Sequence, residues 1–163
     1  MESGQPLHAF DFSYLDEGRI VVRGDEDQEE FLSLDEKSRL LKKDTLMICD
    51  GAKPVAIAGI MGGINSEVRD STDTILLESA YFNPVSIRKT ARSLGMSTDA
   101  SFRFERGVDP GGVVRALDRA ARLIAELSGG VVLQGIIDEH PGPVESPRPV
   151  TVRPERVKEI LGV

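Results

Sequence analysis

Order along the chain decides most about its fold: short apolar runs crowd the first half, and the best-marked helices follow them. Runs of this length, bounded by turn residues, read as strands. They fall at residues 20–23, 31–34, 46–49, 55–58 and 75–79, with a further one at 131–137. Asp50 and Gly51 separate two of the runs and both tolerate positive φ, which predicts a hairpin over residues 45–58. Asn83-Pro84 supplies an N-cap and a first-turn proline. Ile87, Ala91 and Leu94 then share one face, and Gly95 closes that helix. A second helix is predicted after Asp109-Pro110, with an apolar stripe of Val113, Leu117, Ala120, Ala121, Ile124 and Leu127 and a Gly129-Gly130 stop, and it reads as the principal core helix.

At 163 residues the chain is the size of one ordinary domain. Residues 139–149 are rich in Pro and Gly and read as a linker. Residues 150–163 read as a strand and short helix that begin a following module. The lone Cys49 excludes an internal disulfide and fits a reducing compartment. No apolar stretch is long enough to span a bilayer, so a soluble, cytoplasmic protein is expected.

The formal net charge is -7, which argues against a domain that clamps free nucleic acid unaided, because phosphate neutralisation dominates such affinity. The charge is uneven. Carboxylates crowd residues 16–36 against only Arg19 and Arg23, whereas residues 88–122 are predominantly basic. Charge runs of either sign also serve simply as solvated faces.

Standard catalytic patterns are missing: the chain has no nucleophile elbow, no Walker lysine and no HExxH. The cluster Gly59-Ile60-Met61-Gly62-Gly63 lacks the Lys-Ser/Thr of a phosphate loop and reads as a tight bend or a close approach of ligand to backbone. Two histidines are present. His140 lies in the Pro/Gly tail, while His8 follows Pro6 in an extended segment with Asp11 near enough in sequence to orient its ring. Glu78 ends an apolar run whose alternation allows it to face in or out; facing in, it would need a hydrogen-bonding partner. Thr98-Asp99-Ala100-Ser101 reads as a polar loop or as donors lining a site.

Four blocks taken in order carry a resemblance. They are Gly4-Gln5-Pro6-Leu7-His8-Ala9-Phe10-Asp11, Ala58-Gly59-Ile60-Met61-Gly62-Gly63, Leu76-Leu77-Glu78-Ser79-Ala80-Tyr81-Phe82, and Thr98-Asp99-Ala100-Ser101-Phe102-Arg103-Phe104-Glu105-Arg106-Gly107-Val108-Asp109-Pro110. Together they resemble the bacterial phenylalanyl-tRNA synthetase β subunit, in its B3/B4 region, over residues 4–138. The tail resembles the start of that subunit's next, B5-like, domain. The resemblance implies an α+β fold, a three-layer (β/β/α) sandwich. It also implies a post-transfer editing site that hydrolyses tyrosine wrongly attached to tRNA(Phe). Glu78 would receive the para hydroxyl with backbone help near Gly62, Ala100 would shape the ring pocket, and His8 and Thr98 would lie near the ester and position water. No metal or cofactor is implied for this region; ATP and Mg2+ belong to the parent enzyme's synthetic reaction, which resides mainly in the α subunit of an α2β2 assembly. A different class of reading is a non-catalytic module of the same subunit that shapes tRNA or subunit contacts.

Overall fold

The computed structural model describes residues 2–25, 28–142 and 149–162. Residues Met1–Leu133 form one compact unit and Gln134–Val163 a second. Among the described residues the first holds eight strands and three α-helices. The strands are β1 (Leu7–Asp11), β2 (Val21–Gly24), β3 (Glu30–Leu32), β4 (Ser38–Leu40), β5 (Leu46–Cys49), β6 (Pro54–Ile57), β7 (Met61–Gly62) and β8 (Ile75–Ser79); the helices are α1 (Pro84–Leu94), α2 (Asp99–Phe104) and α3 (Val113–Ser128).

A four-stranded antiparallel sheet runs in the order β2-β5-β6-β7. The turn between β5 and β6 is built by Asp50, whose carboxylate accepts from the backbone N–H of Ala52 and Lys53, each at 2.8 Å. This ties the hairpin where Asp-Gly predicted it. Val55 and Ile57 of β6, Met47 of β5 and Phe31 of β3 are buried at its core.

The second sheet is a two-stranded ribbon, β1 against β8, with His8 opposite Glu78 and Phe10 opposite Leu76. Alternation along a strand gives the ribbon two distinct faces. One carries His8, Phe10, Leu76 and Glu78 and looks toward the sheet, where a methyl group placed on Gly62 would meet the His8 ring. The other carries Ser79, whose hydroxyl donates to the carbonyl of Val113 at 2.9 Å, and it packs against α3. The ribbon is thus the middle of three layers, in an α+β fold.

Strand alternation corrects one expectation from sequence. Asp11 lies three residues from His8 and on the other face, and its carboxylate accepts from Ser13 N–H, Ser13 Oγ and Thr72 Oγ1. It caps the turn that follows β1 and does not orient the imidazole.

The helix α1 begins on Asn83, whose side chain accepts from Val85 and Ser86 N–H, and ends on Gly95 at φ 64°. Ile87 and Ala91 are its buried residues. The expectation of α3 as the principal core helix is corrected: Ala116 is its only fully buried residue, and Leu127 is 85% exposed. The turn Pro110–Gly112 after Asp109 is 3-10, so α3 proper starts at Val113. Residues 131–137 form no strand. No described strand accepts them into a ladder, and Val131 and Ile137 are each 89% exposed.

In the second unit, α4 (Pro154–Leu161) starts on a proline and stops at Gly162 in the left-handed conformation. The strand expected at the start of residues 150–163 does not form. Of the predicted linker, residues 143–148 lie outside the described residues. No described helix is long and apolar enough to cross a membrane.

Candidate functional site

The ribbon and the sheet meet over a cavity of about 70 Å³. That is several times the roughly 10–15 Å³ needed by a single water on a comparable measure. His8 and Glu78 line it from the ribbon, Met61 and Gly62 from β7, and Ala100 and Phe104 from α2. Four of the five residues singled out from sequence therefore share one cavity.

The register of β1 on β8 places His8 directly across from Glu78, so their side chains emerge on the same face. Glu78 is half-buried as a residue, with one carboxyl oxygen fully inside. Its Oε2 is inaccessible and has no hydrogen-bond partner among the described residues. Burial pushes its carboxyl up to about 7, well above the usual carboxylate range. An orphaned buried carboxyl oxygen costs on the order of 1–3 kcal/mol, which a ligand hydroxyl in the cavity would relieve.

The His8 ring packs edge-on against Phe10, with centroids 4.5 Å apart. It makes no hydrogen bond among the described residues, and burial lowers its basicity below the ordinary histidine value. At neutral pH it is the uncharged imidazole, able to accept a proton at one nitrogen. Gly62 permits this position: a Cβ there would stand 2.5 Å from His8 Cε1 and 2.7 Å from Nε2. No residue other than glycine fits beneath that ring without moving it.

The opposite wall depends on Gly59 and α2. Gly59 has φ 67°, and Phe82, Ile87 and Phe104 crowd its α-carbon. Phe82 and Phe104 stack edge-to-face at 4.9 Å. Thr98 stands outside the cavity lining. Its hydroxyl donates to the carbonyl of Ile60 at 2.9 Å and accepts from Ser101 N–H, while Ser101 Oγ accepts from Thr98 N–H. This reciprocal capping box starts α2 and fastens it to the β6–β7 loop. With its one proton committed to Ile60, Thr98 fixes the wall that carries Ala100 and Phe104. Sequence reasoning passed over Phe104 and Met61, although the (i, i+4) spacing of Ala100 and Phe104 on a capped helix was available to it.

The raised Glu78 carboxyl has a measurable linkage. Its folded value lies above the unfolded one, so between about pH 4.5 and 7 the folded state holds more proton than the unfolded state, and stability falls as pH rises through that window. His8, with its lowered value, acts in the opposite direction on the acid side. Comparison with Glu78→Gln isolates the carboxyl: the stability of the unaltered protein relative to the variant should decline from pH 5 to pH 8 in urea titrations. A difference that stays flat across that range would mean that the carboxyl is solvated.

Residues 1–129 match the model of the B3/4 domain family. Among curated relatives, the phenylalanine–tRNA ligase beta subunit of Syntrophus aciditrophicus is 67% identical over 162 residues, covering 99% of this chain and 20% of the relative. The subunit of the same name from Geobacter sulfurreducens is 57% identical over 163 residues, 100% of this chain and 20% of the relative. That from Salinibacter ruber is 52% identical over 161 residues, 99% and 19% respectively. The chain spans about a fifth of the length of the curated relatives it matches.

Proposed function

The chain belongs to the B3/4 domain family, and from that premise we propose that it is the editing module of a phenylalanine–tRNA ligase beta subunit, hydrolysing the ester of tyrosine wrongly joined to tRNA(Phe). The observation that carries this reading is the buried, unpartnered Oε2 of Glu78 in the wall of a cavity that Gly62 also lines.

The physics of discrimination favours such a site. An apolar pocket that accepts phenylalanine rejects an added hydroxyl only about a hundredfold, whereas a site built to bond a hydroxyl rejects its absence by roughly ten thousandfold or more. A second site should therefore require the hydroxyl. In this reading the phenol of tyrosine donates to Glu78 while the ring lies between Gly62 and Ala100. Phenylalanine leaves the carboxyl unpaired and stays attached to its tRNA.

The hydrolytic step needs no covalent enzyme intermediate. Water attacks the ester carbonyl, the ester C–O bond breaks, and the freed ribose hydroxyl takes a proton. Neutral His8 orients that water and accepts its proton as attack proceeds, and Thr98 acts through the wall that it fastens. The whole ligase works in the cytoplasm with an α subunit in an α2β2 assembly and joins phenylalanine to tRNA(Phe) with ATP and Mg2+; the cavity described here has no part in that synthesis.

The test supplies the intact ligase carrying this chain with tyrosyl-tRNA(Phe) and phenylalanyl-tRNA(Phe) in separate reactions. The tyrosyl ester should disappear while the phenylalanyl ester persists. Equal lifetimes for the two esters would leave the domain a structural module.

A further inference from the structure

The helix α1 carries Arg88, Lys89 and Arg92 on one exposed side, all within a turn of one another. It contains no carboxylate, and none of the three makes an ion pair among the described residues. Elsewhere in the same compact unit Arg19, Arg23, Arg39, Lys53, Arg106 and Arg119 each reach a carboxylate, and the other cations without an ion pair among the described residues, Lys37, Lys42, Lys43, Arg69, Arg115 and Arg122, do not stand three within one helical turn. The macrodipole accounts for Arg92, in the last turn, but its effect is confined to the helix ends and leaves Arg88 and Lys89 unexplained. Uncompensated positive charge is costless for solubility only where charge of either sign would serve. On a chain of net charge -7, three unpaired cations side by side form a local exception to the prevailing field.

Their position relative to the cavity gives the exception a use. The inner side of α1 presents Ile87, which crowds Gly59 in the cavity wall. The cationic side therefore stands about one helix diameter, roughly 10–12 Å, behind that wall. We propose that this side of α1 is a track for the backbone phosphates of the single-stranded 3′ end of the RNA, holding the strand while its terminal aminoacyl group occupies the cavity. The proposal rests on the editing reading above. It assigns the ligand chemistry as RNA phosphate, contacted as charge without regard to base.

The experiment uses the intact ligase and the triple variant Arg88→Gln, Lys89→Gln, Arg92→Gln, glutamine being a good helix former. Binding of tRNA(Phe) is followed by filter retention across a salt series, and hydrolysis is followed with tyrosyl-tRNA(Phe) and with 3′-tyrosyl adenosine, which lacks the preceding phosphates. The slope of log affinity against log salt should become shallower by about 2, near 0.7 per cation removed. KM for the tyrosyl-tRNA should rise about tenfold, with the change confined to that substrate. An unchanged slope and KM overturn the track. So does an equal loss on both substrates, which would place the cations in cavity stability, and so does loss of subunit assembly on gel filtration, which would make this side a protein contact. If the unaltered ligase hydrolyses neither substrate, the editing reading fails alone, and the salt slope of binding still decides the track.

Discussion

Replacing Glu78 with alanine is expected to slow clearance of tyrosyl-tRNA(Phe) by about 10- to 150-fold, the equivalent of a hydrogen bond to a charged group worth about 1.5–3 kcal/mol. Hydrolysis of the phenylalanyl ester should not fall with it, so the preference for tyrosine shrinks by the same factor. The reason lies in the strand register: Glu78 faces His8 across the ribbon with a buried oxygen that no described group satisfies. Removing it takes away the acceptor and leaves the ribbon intact. Stability should hold or rise, because a buried and unpartnered carboxyl is being deleted. Glu78→Gln separates shape from charge. It fills the same space and accepts through its amide oxygen, so it should retain part of the discrimination and lose the rise in discrimination between pH 6 and 8 that follows ionisation of a carboxyl near 7. A Glu78→Ala ligase that clears tyrosyl-tRNA at the original rate would remove the carboxyl from recognition.

The second large effect is on folding. Gly59→Ala should destabilise the domain by about 2–5 kcal/mol, combining a left-handed backbone at a residue with Cβ, about 1–2 kcal/mol, with overpacking of about 1–3 kcal/mol. The new methyl would stand 2.8 Å from Phe82, 2.9 Å from Ile87 and 3.0 Å from Phe104, three buried side chains from the β8–α1 connection, α1 and α2. None of these is the free end of a flexible surface chain, so relief requires the helices to move. Urea unfolding of the chain and its variant measures the loss directly. A change below about 1 kcal/mol would mean that the wall yields, and α2 would then be a movable side of the cavity.

Some of this was legible in the sequence, for stated reasons. The runs 46–49 and 75–79 are bounded by turn residues and became β5 and β8 with those limits. The helix α1 carries its N-cap, its N1 proline and its αL glycine in the sequence, and all three act as predicted. The strand β1 was harder to read, since a five-residue edge segment after a proline gains its ladder only from β8, far along the chain. The two-residue strand β7 is shorter than any period can reveal. From sequence, Thr98–Ser101 looks like a loop or a set of site donors because the six residues of α2 carry little periodicity; the capping box of Thr98 and Ser101 is the signal available there. Residues 131–137 have the apolar composition of a strand, but a ladder needs a neighbour and no described strand supplies one. Membership of the site behaves in the same way. His8, Gly62, Glu78 and Ala100 converge on the cavity through tertiary register, which alternation along one strand cannot supply. The five positions came from resemblance, and the face of Glu78 came from its partner strand.

The pairing of His8 with Glu78 also bears on how the domain is made. The two residues are joined by a strand pair whose members lie at opposite ends of the first eighty residues, so the ribbon wall of the cavity cannot form until both have been synthesised. At ordinary elongation rates, about 5–20 residues per second, several seconds separate the emergence of β1 from that of β8. Through that interval β1 has no ladder partner, and the nascent domain has a histidine without its facing carboxylate. The facing of His8 and Glu78 therefore comes only after the sheet strands between them have been made, and the cavity is complete only when α2 has followed with Ala100 and Phe104.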